Sequence, residues 1–186
     1  MCGIVAVIGS RDAAPLLLEG LRQLEYRGYD SAGIATLQGK DLHCLRAKGK
    51  LNNLTVRVDR DGAPGLSGIG HTRWATHGKP EEHNAHPHRD GSGRVAVVQN
   101  GIIENHRALR EELTATGVTF QSETDTEVIP HLIAAQLQLM GVSEGAGNGQ
   151  ILLEAVQAVL PRLQGAYALA VLWADASGAL VVARKA

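Results

Sequence analysis

The sequence predicts an α+β fold, or an α/β fold with substantial antiparallel pairing, in which helices pack on sheet faces. Three observations lead there. Short apolar runs with strand character outnumber helical segments. Several neighbouring runs are joined by short turns. The first helical segment carries Leu17, Leu18, Leu21 and Leu24 at helical spacing, an apolar stripe that needs a surface to cover.

The elements follow in order. Residues 4–8 are apolar and β-branched and read as a buried strand. Asp12 can cap a helix, Pro15 is tolerated near its start, and Gly28 suits its C-terminal cap. Residues 34–37 and 42–45 are strands joined by a turn at Gly39 and Lys40. DRDGAPG, 59–65, reads as a loop. Residues 69–72 are a short strand, 76–93 a long polar loop rich in His, Pro and Gly, and 94–99 another apolar strand. Residues 106–116 are helical. Thr124 opens a further helix with Glu127 in capping-box register, and Pro130 kinks it or marks its first turns. GVSEGAGNG, 141–149, is a flexible connector. Residues 151–163 are helical, and 166–173 and 179–183 are strands.

Composition narrows the function. The chain has 186 residues, enough for one domain with a buried core. A hydrophobic fraction of 44% with 20% charged residues is globular. Eighteen Lys and Arg against 19 Asp and Glu leave a net charge of −1, so no basic excess attracts nucleic acid. No apolar stretch reaches bilayer length, and the opening lacks a charged segment ahead of its apolar run. Neither a membrane nor a secretory role is expected. The 2 cysteines, Cys2 and Cys44, are unpaired if Cys2 is catalytic, which favours a reducing cytoplasmic setting.

Five groups of residues could carry chemistry. MCGIVAVIG, at the start, is either an ordinary strand or a nucleophile in waiting. If Met1 is removed, Cys2 bears both a thiol and a free α-amine. A free α-amine titrates near ~7.7–8.0 and a cysteine near ~8.5, so such an amine can take the thiol proton at a cost of about 1 kcal/mol. Gly3 leaves room for a substrate beside that thiol. Asn100-Gly101 after an apolar strand is most often a turn, but it also supplies the amide donors of an oxyanion hole. Arg73, where a strand gives way to HTRWATHG, is a surface or ion-paired arginine, or a planar fork for a carboxylate. ETDTE at 123–127 offers acids that complement a helix dipole, or a carboxylate for an ammonium group. Arg73 and Asp125 together would grip an amino acid at both ends. His71, His77, His83, His86 and His88 raise a metal-dependent hydrolase as a competing reading, but no metalloprotease spacing is present.

These groups fit one pattern. Cys2-Gly3-Ile4-Val5, YRGYDSAG at 26–33, HTRWATHG at 71–78, NAHPH at 84–88, NGIIENH at 100–106, ETDTE at 123–127 and GAYAL at 165–169 occur in one order along the chain. In this the chain resembles the glutaminase domain of the N-terminal-nucleophile (class II) glutamine amidotransferases, in their glutamine–fructose-6-phosphate aminotransferase (isomerizing) branch. The resemblance implies a four-layer αββα sandwich over residues 2–186 and no cofactor or metal. It implies that Cys2 attacks the side-chain amide of L-glutamine, with Asn100 and Gly101 holding the oxyanion. Arg73, helped by Thr76 and His77, would bind the glutamine carboxylate, and Asp125 its amine. Arg27 and Trp74 lie in the motifs around the substrate lid. Ammonia would pass to fructose 6-phosphate on sugar-isomerase domains that this sequence does not contain, in a homo-oligomeric full-length enzyme.

The chain ends at VVARKA, where the resemblance leads one to expect further strands of the glutaminase domain. An incomplete domain is therefore expected at the C-terminus. The alternatives are the glutaminase of another amidotransferase, such as amidophosphoribosyltransferase, or a non-catalytic remnant.

Overall fold

The computed structural model describes residues 1–186. Two four-stranded antiparallel sheets stack face to face. The first has the order β1 (Gly3–Ile8), β4 (Ser67–Arg73), β2 (Ser31–Gln38), β3 (Asp41–Lys48). The second runs β5 (His88–Arg89), β6 (Val95–Gly101), β7 (Tyr167–Trp173), β8 (Val181–Lys185). Helices α1 (Ala13–Gln23) and α2 (Leu51–Asp61) cover the first sheet. Helices α4 (Val128–Leu139) and α5 (Gly149–Val159) cover the second, with α3 (His106–Ala115) packed beside α4. The result is the expected αββα sandwich.

Side-chain alternation explains why the strands read as continuous apolar runs. In β6, Val95 and Val97 join Leu169 and Val171 of β7 under the helices. Ala96 and Val98 join Ala170 and Leu172 on the opposite face, against Ala35 and Ile69 of the first sheet. Both faces of each inner strand are buried, so no polar alternation is visible. The outer layers hold the large side chains: Leu17, Leu21, Leu51 and Leu54 on one side, Ile129, Leu132 and Ile133 on the other. Truncating any one of these to alanine costs about 2–5 kcal/mol.

Several local expectations are corrected. Residues 59–61 belong to α2, which was not foreseen. Its Leu51, Leu54 and Val58 do carry the helical spacing, and Gly62, at φ 76°, ends it. Asn100 and Gly101 do not form a turn; they extend β6, opposite Ala168 and Tyr167. The helix expected at Thr124 begins at Val128, because residues 121–127 spend their polar groups on a different network. The Glu127 carboxylate accepts the N–H groups of Gln121 and Ser122 at 2.8 and 2.7 Å in place of a capping box. Pro130 sits in the first turn of α4, where its missing N–H is harmless. Asp12 occupies the cap position of α1 without a side-chain hydrogen bond. The 141–149 connector ends at Asn148, whose side chain caps α5 through the Ile151 N–H at 3.0 Å. The histidine-rich loop contains a 3-10 turn, Glu82–Asn84, and β5.

Gly33 lets that loop approach the first sheet. A Cβ there would overlap the His86 carbonyl oxygen, so only glycine admits the loop at this distance. Through this contact the histidines reach the space between the sheets.

Candidate functional site

β1 begins opposite the end of β4, with Gly3 paired to Thr72. This register puts Cys2 beside the residues that follow β4. The Trp74 N–H lies 3.2 Å from Cys2 Sγ, and Sγ lies 3.5 Å from the Trp74 carbonyl oxygen. From the second sheet, Asn100 Nδ2 donates to the Cys2 carbonyl at 3.4 Å. The thiol therefore sits where both sheets end together. The amine of Met1 donates to the carbonyls of Arg27 and Gly28 at 2.9 and 3.1 Å, and Met1 itself is exposed.

Arg73 ends β4 and is only 3% exposed. Its guanidinium donates to the backbone carbonyls of His77, Gly78 and Lys79, so it fastens the 74–79 loop. Burial draws its pKa down from the ordinary arginine value, while the Asp30 carboxylate, 3.8 Å away, opposes this. Asp30 also accepts the Ala75 N–H at 2.6 Å, and its own N–H donates to the Arg73 carbonyl at 2.7 Å. One acid thus holds both the fork and the loop. Trp74, 55% exposed, lies against Gly28 at the mouth.

Asp125 enters from the segment ahead of α4. One of its oxygens accepts the Ile103 N–H at 2.7 Å, and the other lies 3.9 Å from His77 Nδ1. Cys2, Arg73, Trp74, Thr76, His77, Gly101 and Asp125 line a single narrow cleft. Gly101 has φ 98°, and a Cβ there would overlap the Ala166 carbonyl oxygen, so a side chain is barred on two counts. Asn100 borders this cleft through its bond to Cys2, and Arg27 stands behind Met1, with Nη2 3.2 Å from its sulfur.

The histidines do not assemble a metal site: no group of three His, Cys, Asp or Glu side chains is placed to hold an ion. His71 and His86 stack with centroids 4.1 Å apart and an interplanar angle of 10°. His86 meets His88 edge-on at 4.9 Å. Burial lowers the pKa of all three, to about 4 for His71 and about 3 for His88. They are neutral members of a hydrogen-bonded core. His83, by contrast, is exposed and pairs with Glu123 at 2.7 Å.

Cys44 offers no second nucleophile, since burial pushes its thiol pKa up. A polar cavity of about 450 Å³ beside Arg46, Arg89 and Asp90 includes Ser92, whose hydroxyl donates to the Asp90 carboxylate. Asp30 and His71 were not singled out for the roles they take here. Asp30 stands inside YRGYDSAG, and a carboxylate between the glycines at 28 and 33 was the available signal.

Comparison with known proteins places this geometry. A family model described as a glutamine amidotransferase domain matches residues 71–186. Glutamine–fructose-6-phosphate aminotransferase [isomerizing] of Thermosynechococcus vestitus is 60% identical over 185 residues, covering 100% of this chain and 29% of the relative. The same enzyme of Gloeobacter violaceus is 58% identical over 186 residues, again with 100% and 29% covered. The chain thus spans 29% of the length of these curated relatives. Among solved structures, the glutamine phosphoribosylpyrophosphate amidotransferase of B. subtilis superposes with a TM-score of 0.77 at 26% identity, covering 100% of this chain and 37% of that one. An allosteric regulatory enzyme of purine biosynthesis gives 0.74 at 27% identity, covering 92% and 35%.

Proposed function

Since the chain belongs to the glutamine amidotransferase domain family, we propose that it hydrolyses the side-chain amide of L-glutamine at Cys2 and releases ammonia for transfer. The observation that carries this reading is the position of Cys2: second in the chain, beside an exposed Met1, and flanked by Trp74 and Asn100. Removal of Met1 turns the nucleophile's own α-amine into its base. That amine takes the thiol proton, and the thiolate attacks the amide carbon. Asn100 Nδ2 and the Gly101 N–H receive the oxyanion, a contribution of about 2.7–4 kcal/mol per donor. The protonated amine then gives its proton to the departing ammonia. Water cleaves the thioester and leaves glutamate.

Arg73 and Asp125 give the cleft a cationic and an anionic end, as an α-amino acid requires. The substrate carboxylate exchanges with the loop carbonyls that Arg73 holds, and Thr76 and His77 lie beside it. Trp74 and the 74–79 loop then act as a lid that excludes water.

Residues 2–186 belong to the ammonia-producing domain, incomplete at its C-terminal end, of a longer, homo-oligomeric enzyme, with fructose 6-phosphate as acceptor on domains outside this chain. The 60% identity to the isomerizing aminotransferases supports that acceptor over phosphoribosylpyrophosphate, where the identity is 26%. Two free cysteines fit a reducing cytoplasm.

The test is intact mass before and after treatment with 6-diazo-5-oxo-norleucine, an electrophilic glutamine analogue. Loss of Met1 with one adduct on Cys2, abolished by Cys2→Ala and unaffected by a chelator, is expected. A processed chain that takes no adduct overturns the reading.

A further inference from the structure

Asn100 must present its Nδ2, not its Oδ1, to the nucleophile, because an oxyanion needs a donor. Nothing in an asparagine's shape decides this, since the two ends of the amide are nearly isosteric. The partners of Asn100 decide it. On one side lies the Cys2 carbonyl, which can only accept, 3.4 Å from Nδ2. On the other lies His71 Nε2, 2.8 Å from Oδ1. The two contacts are satisfied together only if Nε2 carries the proton.

We propose that His71 is a positioning residue for the oxyanion donor: its Nε2–H holds Asn100 Oδ1 and so keeps Asn100 Nδ2 turned toward Cys2. This rests on the proposed glutaminase reading.

The surroundings of His71 enforce that role. His71 Nδ1 is buried and makes no hydrogen bond of ordinary geometry, whereas Nε2 has Asn100 Oδ1 at 2.8 Å. The Gln99 backbone also draws a ring proton, but more weakly than Asn100, so the proton belongs on Nε2. Burial also keeps the ring neutral near pH 7, so it carries a single proton to place. The ring plane is fixed by stacking on His86. His86 is itself fixed, because its Nδ1 accepts the Gln99 N–H at 3.3 Å and its Nε2 lies 3.4 Å from Thr126 Oγ1. Thr126 donates to Gln99 Oε1 at 2.5 Å, and Gln99 Nε2 donates to the Asn100 carbonyl at 2.8 Å. The residue that bears the oxyanion donor is thus held at its side chain by His71 and at its backbone by a relay from His86.

The first measurement is ¹⁵N NMR of the imidazoles in the unliganded chain at pH 7. A protonated Nε2 and a bare Nδ1 are expected for His71; a proton on Nδ1 overturns the proposal whether or not the chain turns over glutamine. The second compares His71→Gln, which keeps an N–H near the Nε2 position, with His71→Leu, which keeps bulk alone. His71→Leu is expected to lower kcat roughly tenfold to a hundredfold with KM for glutamine within about twofold, and His71→Gln to recover most of the loss. Equal activity of His71→Leu and wild type, or no advantage of His71→Gln over His71→Leu, overturns positioning. An inactive wild-type chain counts against the glutaminase reading instead, and the tautomer result then decides the placement of the donor.

Discussion

One oxygen of Asp125 accepts the Ile103 N–H at 2.7 Å, which pins the carboxylate and leaves its second oxygen 3.9 Å from His77 Nδ1, in the cleft. The backbone bond fixes geometry, and the remaining charge is available to an ammonium group. Asp125→Asn keeps the oxygen for Ile103 and removes the charge. The KM for glutamine should rise by roughly tenfold to a hundredfold, about 1.5–3 kcal/mol for a lost charged hydrogen bond. The change in kcat should be much smaller. Steady-state glutaminase assays check this, and an unchanged KM with a reduced kcat would contradict it.

Arg73 holds three successive carbonyls, of residues 77–79, with one planar group. A lysine has one nitrogen at the end of a flexible stem and cannot span them. Arg73→Lys should loosen the loop and weaken carboxylate binding together. Limited proteolysis should cut within residues 74–80 several times faster than in wild type, with KM raised by about tenfold or more. Proteolysis at the wild-type rate would show that the loop is held by Asp30 alone.

Acid should weaken the fold before ordinary carboxylates titrate. The ordinary histidine value is 6.5, while burial holds His71 at about 4 and His88 at about 3 in the folded chain. Below pH 6.5 the unfolded chain therefore binds protons that the folded chain refuses, and stability falls as pH drops. The slope is at most about 1.4 kcal/mol per pH unit for each such histidine. Glu127 acts in a lower window. Burial pushes its pKa up, but hydrogen bonds from His131, Ser122 and the Gln121 N–H outweigh this and hold it at about 2, below its ordinary 4.5. Its contribution is present above pH 4.5 and is lost as pH falls toward 2. Urea midpoints should decline between pH 7 and pH 5, and a flat profile there would refute the buried neutral ladder.

Elements with their own local signal were legible in the sequence. The apolar strands and the leucine stripe of α1 were read from spacing alone. Helix α2 escaped because its few apolar residues are diluted by Asn, Arg and Asp, which face solvent on its outer side. The start of α4 was misplaced because Glu127 can serve either its own helix or the preceding turn, and Gln121 and Ser122 claimed it. Asn-Gly misled as a turn signal because strand β7 supplies Gly101 with a ladder partner from 66 residues away, Tyr167. The site residues were legible as types in a known order: the thiol at position 2, the arginine at a strand end, the acid in ETDTE. Their mutual distances were not.

Short-range chemistry was written in the chain itself. Apolar periodicity and glycines at special backbone positions define the strands and the helices, and a cysteine at position 2 marks the proposed nucleophile. Everything that depends on one sheet meeting the other was left to the tertiary structure. The His71–Asn100 bond joins β4 to β6, and the Asp125 carboxylate is tied to the loop after β6. The reason is physical. A histidine's tautomer and an asparagine's rotation are fixed by neighbours tens of residues away, in a buried space where each polar group must find a partner.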